Sequence, residues 1–433
     1  MRRLSHRELW LPLLMLFWFS ALSGQSDPIA FRGATLYPIS GPPIENGVLV
    51  IREGRIADIG SAAAVKIPNN AQILDVAGKV IIPGLVDTHS HIGGGDGGDR
   101  SASLHPDVRI LDAIDVRNEH FRKALAGGIT TANVMPGSGH LMSGQTAYLK
   151  LREARTIEGM LFCEDPLNGI CGGLKMANGT NSLREPPFSG TRAKSAAMVR
   201  ELYIKAQEYQ EKIRAAGDDA TKLPPRDLKM ETLVEVLEGK RIVHHHTHRH
   251  DDVVTVLRLA KEFGFRVVLH HVSDATLVAE EIAAAGVPAS IISIDSPGGK
   301  LEAINLLNSN GAALEKAGVD VAFHTDDGIT DSRWFLRMAA MGVRYGMSRE
   351  KALEAVTLAG ARMLDLDRRI GSLEKGKDAD LVVLSGDPFS TYTRVEQTWV
   401  EGAMRFDFND PQDRAYALGG YEVYKTNVHT HGE

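Results

Sequence analysis

Histidine, with sixteen copies in 433 residues, is the residue type whose placement in this chain suggests chemistry. The histidines gather where otherwise apolar runs end. His89-Ser90-His91 closes GLVDTHSH (84–91), the cluster His244 to His250 closes RIVHHHTHRH, and His270-His271 closes RVVLHHV (266–272). A fourth run, VDVAFHTDD (319–327), finishes in a carboxylate, Asp326. A buried apolar strand has little use for an imidazole, so this repetition asks for an explanation.

Residues two apart on a strand face the same side, so His89 and His91 can grip one ion. Imidazole nitrogens bind zinc at about 2.0–2.1 Å, and a carboxylate completes a site that keeps a water. Each element has a plainer reading by itself. A lone His-x-His is weak, the His244–His250 cluster could be a surface metal scavenger, and His271 could be a hydrogen-bonded core histidine. Asp326 in TDDGITDS could cap a helix. Their joint occurrence at four strand ends argues for a metal centre, with Zn²⁺, one or two per chain, as the expected cofactor and other divalent metals as alternatives.

Four strand ends converge only if the strands are parallel and their tips share a rim. Eight strand candidates are legible: 84–91, 128–135, 159–165, 173–177, 241–248, 266–272, 287–293 and 319–327. Helical stretches separate many of them. DVVTVLRLAKEFG carries apolar Val253, Val256, Leu257 and Ala260 at three-and-four spacing, and Gly264 follows as a stop. Eight such units over residues 83–365 predict a (β/α)8 TIM barrel, which gathers its functional residues at one rim. The stretch 180–226, with one long amphipathic helix, reads as an enlarged loop over the mouth. Short alternating strands with Gly and Pro turns occupy 28–82 and again 366–408. Neither piece can bury a core alone, so the two are expected to join in one small discontinuous β-sandwich domain. Residues 409–433 read as a C-terminal tail, and the His429-Thr430-His431 within it as a polar ending.

The composition, 43% hydrophobic and 24% charged, is globular, and a net charge of −6 offers no general attraction for nucleic acid. Residues 1–26 have a basic start (Arg2, Arg3, Arg7), an apolar run too short to span a bilayer, and the small residues Ala21, Ser23 and Gly24. That is the pattern of a signal peptide, and predicts a periplasmic or secreted protein without stable membrane insertion once it is cleaved. In an oxidising compartment Cys163 and Cys171 could close a small loop; two unpaired thiols are the alternative.

PGLVDTHSH at the first barrel strand, FHTDD at the eighth and GSLEKGKDADLVVLSGDP after the barrel resemble the amidohydrolase superfamily. Nearest is its imidazolonepropionase-like and metal-dependent dipeptidase branch, and the resemblance covers about 28–408. It implies metal ligation by His89 and His91, by His246 from strand five, by His271 from strand six as a second-metal ligand or substrate contact, and by Asp326 from strand eight. Lys175 in GLKMANGTN resembles the strand-four lysine that is carboxylated and bridges two metals; anchoring a substrate carboxylate is the alternative. Three residues after His246 stands Arg249, where the deaminase branch has glutamate, so deamination is disfavoured.

These expectations describe a hydrolase of C–N bonds in amides, dipeptides or cyclic imides. Metal-activated water attacks, Asp326 acts as general base and then protonates the leaving nitrogen, and His271 or the metal polarises the carbonyl. His140, Arg192 and Arg249 are candidate substrate contacts, the arginines through a carboxylate. The expected partner is a small molecule or short peptide, and an oligomer is compatible with the sequence. Hydrolysis of a lactone or phosphoester, or a non-catalytic metal-binding barrel, are the competing readings.

Overall fold

The computed structural model describes residues 27–95, 97–166, 169–293 and 299–419. The expected signal peptide and the His429–His431 pair lie outside the described residues. The chain opens with β1 (Ile29–Leu36), β2 (Ile44–Arg52), β3 (Arg55–Ser61), β4 (Gln72–Asp75) and β5 (Val80–Pro83). It closes with β15 (Leu381–Leu384), β16 (Val395–Val400) and β17 (Ala403–Asp407). These eight strands share one hydrogen-bonded sheet, in the order β17-β16-β15-β5-β1-β2-β3 with β4 beside β1. The two ends of the chain meet where β15 runs antiparallel to β5, Leu381 opposite Pro83 and Leu384 opposite Val80. Phe31, Leu49, Ile81 and Trp399 bury one apolar cluster on this sheet, with the Phe31 and Trp399 rings edge to face at 5.2 Å. Where a sandwich of two sheets was expected, the pairing is that of a single sheet.

Between these pieces run β6 (Leu85–Ser90), β7 (Ile129–Val134), β8 (Met142–Gln145), β9 (Ala147–Lys150), β10 (Leu174–Ala177), β11 (Val243–Thr247), β12 (Val267–His271), β13 (Ala289–Ile291) and β14 (Val321–Phe323). They pair as β14-β13-β12-β11-β10-β8 and as β6-β7-β9. β10 through β14 are parallel neighbours, as are β6 and β7. Seven of the eight expected strands are present, and the third is not. A 3-10 turn at Ile157–Gly159 leads into residues 159–165, which make a single bridge from Leu161 to Leu149. Their place is taken by Met142–Lys150, one course interrupted at Thr146, whose first half runs antiparallel to β10 and whose second half runs antiparallel to β7. The GMLFCED run is apolar enough for a strand, but its chain is turned back by the Cys163–Cys171 disulfide, with Cα atoms 5.1 Å apart.

The helices are α1 (Glu119–Ala126), α2 (Arg192–Ala216), α3 (Leu228–Leu237), α4 (His250–Phe263), α5 (Ala275–Ala285), α6 (Asn310–Lys316), α7 (Phe335–Arg344), α8 (Arg349–Ala355), α9 (Leu358–Met363) and α10 (Pro411–Leu418). α4 shows why they form here. It buries Val253, Val256, Leu259, Ala260 and Phe263 on one stripe and ends at Gly264, whose φ of 73° is the left-handed cap that glycine adopts without strain. α2 lies in the stretch expected to be an enlarged loop and starts from a Thr191 cap that accepts from Lys194 N. The expected tail begins with a helix, because Asp410 caps Gln412 N and Asp413 N and Pro411 stands at the first helical position; Tyr416 of this helix stacks on Arg122 of α1. Among the described residues no helix is long and apolar enough to cross a membrane.

A candidate metal centre at the strand ends

His89 is the penultimate residue of β6 and His91 follows the strand; Asp326 follows β14. Backbone and side-chain bonds hold the two chain segments together. Asp326 N donates to His89 O (2.8 Å) and His91 N to Asp327 O (3.2 Å). The buried Asp87 carboxylate accepts from His89 N (3.2 Å), Thr325 N (3.1 Å) and Thr325 Oγ1 (2.5 Å). Lys123 neutralises Asp327 from below at 2.8 Å. Asp326 and His271 both take positive φ, 49° and 72°, a conformation uncommon outside glycine and concentrated at functional sites.

Around this junction polar atoms crowd a common point. His89 Nε2 lies 3.3 Å from His91 Nε2, 3.3 Å from Asp326 Oδ1 and 3.1 Å from Lys175 Nζ on β10. His91 Nε2 lies 2.9 Å from Asp326 Oδ1. The ligand atoms of His89, His271 and Asp326 all fall within 4.8 Å of one another. The ring of His271 is 4.9 Å from that of His89 and 4.5 Å from that of His246. His91 and Asp326 retain 20% and 16% side-chain exposure while His89 is fully buried, so the nest is closed below and open on one side.

The structure thus brings together His89, His91, Asp326, Lys175 and His271, with His246 adjoining through His271. His246 also belongs to a second grouping with His248 and Glu302, where Lys300 Nζ lies 3.5 Å from His246 Nε2 and 3.1 Å from Glu302 Oε1. The three candidate substrate contacts lie apart from the nest's own contacts. His140 is buried beside Phe188 at 5.2 Å and His105 at 6.1 Å. Arg192 is held by Asp252 (2.8 Å) and Glu302 (3.2 Å). Arg249 stands before α4 and is held by Asp251 at 2.8 Å, both half-exposed.

Sequence reasoning gave no site role to His244, His270 or His324. All three are buried, with His244 and His270 on β11 and β12 and His324 just after β14. The signal was the two-residue period itself, since His244 lies two before His246 and His324 two before Asp326.

Burial sets the protonation of these groups. His89, His246, His270 and His271 are held well below the ordinary imidazole range, first by loss of solvent and then by neighbouring positive groups. His244 and His324 fall to about 3 from the same leading cause. Burial lowers Lys175 to about 7, against the pull of Asp326, so near neutral pH its amine is divided between the charged form and the free base. For Asp326 burial alone would raise the carboxyl, but hydrogen bonding to His91, with the charges of His91, His324 and Lys175, holds it well below the carboxylate range. The buried imidazoles of His89, His246 and His271 and the ionised Asp326 carboxylate form a donor set suited to a divalent cation. Buried His271 Nε2 and His246 Nδ1, which have no hydrogen-bond partner among the described residues, fit one as well.

Comparison with known proteins places the chain in a family. Residues 168–406 match the family model described as "Amidohydrolase family". The crystal structure of an amidohydrolase from Thermotoga maritima is 33% identical, with a TM-score of 0.80 over 88% of this chain and 100% of that one. The chain belongs to the amidohydrolase family. It is 26% identical to amidohydrolase tasK of Hapsidospora irregularis over 89% of its length, but spans only 44% of that protein. It is 24% identical to the imidazolonepropionase of Symbiobacterium thermophilum, covering 79% of this chain and 84% of that one.

Proposed function

We propose that this protein is an exported, metal-dependent hydrolase of a C–N bond in an amide, dipeptide or cyclic imide. The observation that carries the proposal is the convergence of His89, His271 and Asp326 donor atoms within 4.8 Å at one open rim, with His91 alongside. The relatives named above, amidohydrolases and an imidazolonepropionase, support the reaction class. The two central sheets read as the staves of a (β/α)8 barrel in which Met142–Lys150 is the one antiparallel stave. Export is supported by the leader-like sequence at 1–26 and by the Cys163–Cys171 disulfide.

His89, His91, His246, His271 and Asp326 would hold the metal, zinc being the first choice, and a carboxylated Lys175 would bridge a second ion. When bound, the cation supplies a Lewis acid that polarises a carbonyl and acidifies water toward a pKa of about 7. Asp326, ionised and partly open to the mouth, accepts the proton of the attacking water and returns it to the departing nitrogen, so that acid and amine leave with one water consumed. His271 stands where an imidazole N–H can donate to the developing oxyanion when it is not a ligand. His140 would contact the substrate, and Arg192 and Arg249 would reach a substrate carboxylate only by exchanging the aspartate and glutamate that hold them. The test is turnover of zinc-loaded protein on dipeptides, N-acyl amino acids, hydantoins and lactones. Amide or imide hydrolysis supports the reading, and hydrolysis of lactones alone overturns it.

A further inference from the structure

The interior of the central sheets, where branched apolar side chains ordinarily pack, holds a file of polar rings behind the metal centre. His89 Nδ1 lies 3.3 Å from His270 Nδ1; His270 Nε2 lies 3.0 Å from His244 Nδ1; His244 Nε2 lies 2.9 Å from the hydroxyl of Tyr148. His89 and His244 are fully buried, as is His270, and Tyr148 nearly so. A second file starts at another ligand candidate. His271 Nδ1 lies 3.1 Å from His324 Nε2, His324 Nδ1 2.8 Å from Ser290 Oγ, and Ser290 Oγ 2.6 Å from Thr88 Oγ1. The backbone makes room for the first file. A Cβ at Gly173 would come within 2.3 Å of His244 Cδ2 and 2.8 Å of its Nε2, so only glycine admits that ring.

We infer that the two files are tautomer locks, in which His270–His244–Tyr148 and His324–Ser290–Thr88 fix His89 and His271 with Nε2 lone pairs turned to the metal. The inference rests on reading these two histidines as metal ligands. A neutral imidazole has one N–H and one lone pair, so each ring in a file dictates the next. If His89 Nε2 ligates, Nδ1 carries the proton and donates to His270 Nδ1. His270 Nε2–H then donates to His244 Nδ1, and His244 Nε2–H donates to the Tyr148 oxygen. Every contact in the file is satisfied by this one arrangement. His91 shows the same orientation without ambiguity, because its Nδ1 is 2.8 Å from the carbonyl of Met135, which can only accept. His271 Nε2, without a hydrogen-bond partner among the described residues, is what the second file leaves for a metal. Partners of this kind orient ligating imidazoles and raise their basicity, and losing one weakens metal binding on the order of 10–100-fold.

The test is zinc affinity by chelator competition on the full chain, with thermal stability of the zinc-free protein measured in parallel. His270→Leu removes the acceptor facing His89 and should weaken zinc on the order of 10-fold or more. His270→Asn places a carbonyl oxygen near the position of Nδ1 and should recover most of that loss. Tyr148→Phe, the mildest change, should weaken zinc with little effect on zinc-free stability. In the native protein, ¹⁵N-histidine spectra with zinc bound should show His89 protonated at Nδ1 and His270 and His244 at Nε2. Unchanged zinc affinity in His270→Leu, an Asn variant as weak as the Leu variant, or the opposite tautomers would overturn the lock while leaving the metal centre standing. Failure of the native protein to bind zinc or another divalent metal would overturn both.

Discussion

Asp326 Oδ1 lies 2.9 Å from His91 Nε2, and these two side chains are the partly exposed members of an otherwise buried nest. One comes from the end of the first central strand and the other from the end of the last. Their contact therefore reports that the strand order has brought the extremes of the central segment together, and it sets the open side from which substrate would approach.

Asp326→Asn should keep the fold and most of the metal, since the amide oxygen still offers a weaker ligand, while removing the proton acceptor. Turnover should fall by about 10²–10⁴-fold. Steady-state kinetics on whichever amide substrate the panel identifies would check this, and native turnover in the variant would take Asp326 out of the chemistry.

Lys175 is fully buried, with burial lowering its amine to about 7, so at neutral pH a large fraction is the free base that can add carbon dioxide. Bicarbonate should therefore raise the metal content of native protein toward two ions per chain, and Lys175→Ala should stay near one regardless. Elemental analysis reads both. Equal metal content in the two proteins with bicarbonate would remove the bridging role.

Much of this was legible in the sequence for a physical reason. Imidazole and carboxylate at the ends of apolar runs conflict with burial unless they ligate something, and His89, His91, His271 and Asp326 stand out on that ground alone. His244, His270 and His324 were harder to read, because His244 pairs with His270 and Tyr148, His270 also with His89, and His324 with His271 and Ser290, contacts between residues far apart in the chain. The stave at Met142–Lys150 was obscured because a course broken at Thr146 has two short apolar halves, whereas GMLFCED nearby looks like a better strand. Arg192 and Arg249 illustrate a different limit. A charge near a motif does not reveal that Asp252, Glu302 and Asp251 already hold it.

Away from the site, Lys150 is fully buried between Asp378 (2.7 Å) and Asp380 (2.6 Å), where the central strands meet the terminal sheet. Burial would raise Asp378, but Lys150 and Arg369 outweigh it and hold the carboxyl below 3.8. A depressed carboxyl contributes stability above its unfolded pKa that is lost as pH falls through the folded value. Lys150→Met should cost about 3–5 kcal/mol at pH 7 by leaving buried Asp380 without its cation, while Asp378 keeps Arg55 and Arg369. The gap to native protein should narrow below about pH 4 as the carboxyls protonate. Urea denaturation at both pH values measures it, and a gap that widens in acid would contradict the assignment.

Cys163 and Cys171 close a short loop. Replacing both with serine should destabilise the protein by about 2–3 kcal/mol, chiefly by freeing the unfolded chain. Chemical denaturation checks this; a variant as stable as the native protein would show that the crosslink constrains nothing in the unfolded state.

The most direct test of the metal centre is anomalous scattering at the zinc edge from crystals of zinc-loaded protein. A peak is expected about 2.0–2.2 Å from His89 Nε2, His91 Nε2 and an oxygen of Asp326. A peak confined to other residues, or no peak in a fully loaded crystal, would contradict it.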